Sequence, residues 1–110
     1  MSTVNAFSPK GKTYLVSTSD VQIPTQDNVS AVSYRIVNLS AGTVYLGFKP
    51  ADPLGASVSV GTVAAPTAGS PVQNIIGFLS GAIEVVSLPP NVWLKADTAN
   101  SLLVTPGEGI

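Results

Sequence analysis

Ten glycines and nine prolines punctuate this 110-residue chain, and the runs between them alternate apolar with polar residues instead of repeating every three to four. Glycine and proline end regular structure, and an alternating run buries one face of a strand, so the pattern predicts short strands joined by turns. Helical periodicity is missing almost everywhere. This is the rhythm of an all-β, antiparallel β-sandwich with about seven or eight short strands.

The alternation places the strands. Lys12–Thr18 carries Tyr14 and Val16 on one face, after an extended arm over residues 1–11 anchored by Phe7. In Ser30–Leu39, Val32, Tyr34 and Ile36 alternate with Ser33, Arg35 and Val37. In Thr43–Lys49, Val44, Leu46 and Phe48 point inward and Tyr45 and Lys49 outward. These two runs, joined by Ser40-Ala41-Gly42, read as the strongest hairpin. Pro50-Ala51-Asp52-Pro53 is a turn in which the Asp caps its own backbone. Val58, Val60 and Val63 suggest a short strand, and Val72–Leu79 another. Ala82–Leu88 sets Ile83 and Val85 against Glu84 and Val86 and stops at Pro89-Pro90. Val92–Ala96 and Leu102–Thr105 read as a second hairpin across residues 97–101. No repeat or linker divides residues 12–110, so they read as a single sandwich domain. For a chain of this mass, folding buries roughly 65% of the surface, enough for one modest core.

Composition narrows the chemistry. There is no histidine and no cysteine, which removes the usual general base, the soft metal ligands and the thiol nucleophile, and rules out disulfides. The six acids, Asp20, Asp27, Asp52, Glu84, Asp97 and Glu108, lie mostly in turns and at least seven positions apart. That spacing offers neither a calcium loop nor a marked pair of facing carboxylates. Gly11-Lys12-Thr13 resembles the end of a phosphate loop but has Ala6 where its first glycine is needed. Asn28-Val29-Ser30 and Asn38-Leu39-Ser40 fit the glycosylation pattern at about the frequency chance gives in a Ser/Thr-rich chain. The expectation is a protein that is not an enzyme and needs no cofactor or metal.

Charge points to protein partners. Charged residues make up 10% of the chain, against about 25% in a typical globular domain, while mean hydropathy is +0.38. Four lysines and one arginine, with only Lys10 and Lys12 close together, form no basic stripe for nucleic acid and no basic amphipathic helix for a membrane surface. Residues 1–9 have neither the basic start nor the apolar run of a signal peptide, and no run reaches the length of a membrane helix. A neutral surface of small side chains suits broad protein contact. The candidate interface residues are Phe7 and Lys10 on the arm, Tyr45 and Trp93 as outward aromatics, and Ile110 at the end of the chain.

Two segments carry a family resemblance. Tyr34–Phe48 reads Tyr-Arg-Ile-Val-Asn-Leu-Ser-Ala-Gly-Thr-Val-Tyr-Leu-Gly-Phe. Glu84–Gly109 holds Glu-Val-Val-Ser-Leu-Pro-Pro-Asn-Val-Trp-Leu-Lys-Ala-Asp-Thr-Ala and then Thr-Pro-Gly-Glu-Gly. Together they resemble small virion proteins of tailed bacteriophages. The resemblance implies a jelly-roll-like sandwich and a capsid decoration or cement protein, made in the host cytoplasm and held on the capsid exterior. Its implied partners are the major capsid protein, other virion proteins and further copies of the chain. The alternatives are a receptor- or glycan-binding module, which would use Tyr45 or Trp93, and a head–tail connector or neck component. No catalytic residue is implied.

Overall fold

The computed structural model describes residues 6–25 and 32–109. Ile110, residues 1–5 and the Asn28-Val29-Ser30 motif lie outside them. Among the described residues there is no helix. Nine strands form: β1 (Ser8–Pro9), β2 (Tyr14–Val16), β3 (Val21–Gln22), β4 (Val32–Asn38), β5 (Val44–Lys49), β6 (Ile75–Phe78), β7 (Ile83–Leu88), β8 (Trp93–Ala96) and β9 (Leu102–Glu108).

They make two antiparallel sheets. The five-stranded sheet runs β1-β9-β4-β7, with β2 also on β9, and the four-stranded sheet runs β3-β8-β5-β6. From β2 onward, four pairings nest inside one another: β2 with β9, β3 with β8, β4 with β7, and β5 with β6. The chain is thus folded like one long hairpin whose successive pairs fall in alternate sheets. The contacts of β4 with β9 and of β5 with β8 then complete each sheet.

The inner faces share one core. Val16, Tyr34, Ile36, Leu102 and Val104 come from the five-stranded sheet, and Val44, Leu46, Phe78, Leu94 and Ala96 from the other. All are shielded from solvent, which gives this small fold its main driving force. The radius of gyration, 14.0 Å, is close to the ~13 Å expected of a compact domain of this length.

Two sequence expectations are corrected here. The pairs read as hairpins are not hairpins. β4 and β5 lie in different sheets, as do β8 and β9, so residues 39–43 and 97–101 are arches that cross between layers. Asn38 sets the first arch. Its two Nδ2 protons are shared among three carbonyls, Gly42 O at 3.0 Å, Phe78 O at 3.0 Å and Leu79 O at 2.9 Å. Its Oδ1 accepts the Ser40 N–H at 2.8 Å. These bonds satisfy the backbone of a crossing chain, where a hairpin ladder would not reach. The one sequential pair in the same sheet after β2, β5 with β6, is separated by the long connection 50–74.

That connection contains no strand, contrary to the one expected around Val58, Val60 and Val63. It folds back over the outer face of the four-stranded sheet. Gly47 leaves the room: a Cβ there would lie 2.7 Å from Val63 and 2.9 Å from Val60. Lys95 Nζ donates to Gly61 O at 2.9 Å and Val60 N–H to Asp20 Oδ1 at 3.1 Å, which pins the segment down. The turn at Asp52 forms as expected, with Oδ1 accepting the Leu54 N–H at 2.8 Å.

Candidate protein-binding surface

The two outer faces are treated differently. The four-stranded sheet is overlain at Gly47 and Lys95 by Val60–Val63, whereas among the described residues the five-stranded sheet has only the arm across one end. Strand register shows what that bare face carries. Leu15 pairs with Leu103, Leu103 with Val37, and Val37 with Ile83, so an unbroken apolar row crosses β2, β9, β4 and β7. Its two ends are open to solvent, Leu15 at 49% and Ile83 at 59%. Leu39, 54% exposed, continues the face toward the first arch.

The next row holds Thr105, Arg35 and Val85. Arg35 is exposed, and its neighbours on that face are Val85 and Thr105 opposite, and Ile83, Ser87, Leu103 and Gly107 diagonally. None of these is acidic, so the guanidinium stands beside an apolar row without a cross-strand carboxylate. Phe7, Pro9, Thr13, Arg35 and Thr105 line a hollow of about 360 Å³ where the arm meets this face. The arm reaches it because Gly107 has no side chain: a Cβ there would lie 2.6 Å from the Phe7 ring. Ser8 and Pro9 then add to the edge of β9, and Lys10 N–H donates to Pro106 O at 2.8 Å.

The candidate interface residues therefore do not gather in one place. Phe7 sits on the outer face of the five-stranded sheet, and Lys10 is exposed just beyond β1. Tyr45 and Trp93 lie on the outer face of the other sheet, opposite Gly77 and Lys49, and both are half-buried. The indole N–H of Trp93 has no partner among the described residues. The apolar row was missed because its members come from four strands. Each alternating run marks its outward residues, but only pairing puts them side by side.

Three of the acids serve the backbone. Asp97 Oδ1 accepts the Tyr45 N–H at 3.0 Å, as Asp20 and Asp52 accept those of Val60 and Leu54. Tyr34, buried in the core, donates its hydroxyl to Pro89 O at 2.8 Å, and burial pushes its pKa up to about 12. That hydroxyl is a core contact and not an exposed acid. Comparison with protein-family models, with curated proteins and with solved structures finds no match to this chain.

Proposed function

We propose that this chain is a non-catalytic structural protein of a bacteriophage virion, of the decoration or cement type. In this reading it binds the capsid lattice through the bare face of its five-stranded sheet. The observation that carries the proposal is the apolar row Leu15–Leu103–Val37–Ile83, uncovered beside the exposed Arg35. Exposed apolar patches on a charge-poor surface mark sites of contact. The row crosses three strand spacings, roughly 15 Å, and is one side chain wide, so it is a narrow strip compared with a standard interface of ~800 Å² per partner. Weak contacts of this size suit a lattice, where copies repeated by symmetry act together. The partner is the major capsid protein or another virion protein, and the site is the capsid exterior.

The nested pairing supports the finer fold reading as well. With the arm set aside, eight strands wound as a folded hairpin between two four-membered sets are the arrangement of a jelly roll. A protein that binds only the assembled shell stabilises it by mass action. The test is to add the protein to particles stripped of it and to measure occupancy and heat resistance. Leu15→Lys combined with Ile83→Lys is expected to abolish both gains. A double variant that binds and protects like the parent would sink the proposal.

A second reading, a receptor- or glycan-binding module, would use the half-buried rings of Tyr45 and Trp93 on the outer face of the four-stranded sheet. It requires that host glycans change the fluorescence of this one tryptophan. A head–tail connector would differ from a decoration protein in copy number per particle.

A further inference from the structure

The five-stranded sheet ends at β7, which has β4 on one side and no strand among the described residues on the other. At six residues it is longer than the other end strands, β1, β3 and β6. Open edges of this length are usually blunted by lysine, proline or a bulge. Within its span β7 has no lysine or proline, and its one charge is Glu84.

The direction of its free backbone groups follows from the ladder with β4. In an antiparallel pair, alternate residues turn their N–H and C=O toward the neighbour. Asn38 N–H donates to Ala82 O at 2.9 Å, so even-numbered residues on this side of the pair bond to one another. Leu39 N–H donates instead to Ser101 O at 2.8 Å, toward β9, which confirms the alternation. Ile83, Val85 and Ser87 therefore aim three N–H and three C=O groups at the open edge.

We propose that two copies of this chain associate through β7, antiparallel, with a two-fold axis at Val85. In that register Val85 bonds to the partner's Val85, and Ile83 to the partner's Ser87. Every free donor is used, three from each copy and six bonds in all. The neighbouring registers are poorer. An axis at Glu84 opposes two carboxylates directly, which is unfavourable. An axis at Val86 sets Ile83 against the partner's Pro89, which has no N–H to give. The Val85 axis also keeps faces aligned, because residues paired across it have the same parity. Val85 and Ile83 of both copies then lie on one outer face, and the apolar surface is doubled. This pairing of like chains goes beyond the proposed function and needs no capsid partner.

The absence of cysteine leaves no disulfide route to a dimer, so the purified chain tests the pairing directly. Sedimentation equilibrium over rising concentration is expected to show a mass moving from 11.2 kDa to twice that value. Amide exchange at residues 83, 85 and 87 is expected to slow at least tenfold with concentration, while 84 and 86 stay slow throughout. Val85→Pro removes one edge donor without touching the bonds to β4, and is expected to leave a folded monomer. A single-chain mass at every concentration would overturn the pairing, and so would a dimer whose 83, 85 and 87 amides exchange freely. Should Val85→Pro fail to fold, the exchange pattern of the parent decides alone. A monomer that still binds stripped particles would end this inference and leave the virion reading standing.

Discussion

Replacing Asn38 should cost this fold more than replacing any exposed polar residue. Asn38 is only 2% exposed, and its side chain contacts the carbonyls of Gly42, Phe78 and Leu79 and the N–H of Ser40. Asn38→Ala removes all of these contacts, two donated protons and one accepted, and leaves a small void. The bond to Phe78 O is buried and no water replaces it, at a cost of about 0.5–1.5 kcal/mol, to which the void adds. The carbonyls of Gly42 and Leu79 are partly wet and recover some of their loss. The sum is roughly 2–4 kcal/mol, a large part of the ~5–15 kcal/mol that holds a domain together. Urea unfolding at fixed protein concentration, followed by the fluorescence of Trp93, should show the midpoint falling by roughly 1–2 M. Asn38→Asp separates volume from hydrogen bonding. It keeps the size and the bond from Ser40, but points a carboxylate at three carbonyl oxygens. At neutral pH it should be at least as damaging as alanine. Its deficit should shrink in acid, because a folded-state pKa raised by those carbonyls lets the folded variant take up a proton before the unfolded chain does. An Asn38→Ala protein within about 0.5 kcal/mol of the parent would refute the argument that this side chain holds the crossing.

Three further outcomes follow from the packing. Gly107→Ala should push the Phe7 ring and Ser8 off β9, so that trypsin cuts at Lys10 and Lys12 many times faster while the core unfolds at nearly the same denaturant concentration. Gly47→Val should lift Val60 and Val63 from the outer face of the four-stranded sheet, costing roughly 1–3 kcal/mol by overpacking and giving faster proteolysis within 50–74. Tyr34 sets an alkaline limit. Its folded pKa of about 12 lies above the ordinary 10.0, so its contribution is complete below pH 10 and is lost as pH rises toward 12. The loss reaches roughly 2–3 kcal/mol, and Tyr34→Phe should remove that part of the alkaline slope in unfolding experiments across the range.

The all-β class and the faces of the longer strands were legible because alternation is a local property, whereas the count was not: nine strands form where seven or eight were expected, with β3 inside a stretch too polar to read as a strand and none at Val58–Val63. Tyr34 and Ile36 against Arg35, and Val44 and Leu46 against Tyr45, are assigned correctly from the sequence by polarity alone. In Ala82–Leu88 the alternation left the sides open, since Ile83 and Val85 are as apolar as Val86. Register places Val86 opposite Tyr34, on the core side, and sends Ile83 and Val85 outward. The candidate surface was mostly illegible for the same reason. Phe7 was marked from the sequence, but Leu15, Leu103, Val37 and Ile83 look like ordinary strand residues until β2, β9, β4 and β7 lie side by side.

The sequence by itself determined that the chain is all-β, that Asp52 caps its own turn, and that charge is sparse. Each of these depends on residue type and on spacing within a few positions. Only the tertiary structure decided which strands pair. Ser40-Ala41-Gly42 is short enough for a hairpin, yet the chain crosses there, because Asn38 bonds to carbonyls forty residues away and because burying both sheets against each other outweighs the nearest pairing. Partner choice is settled by the burial of the whole set of strands, and no local pattern encodes it.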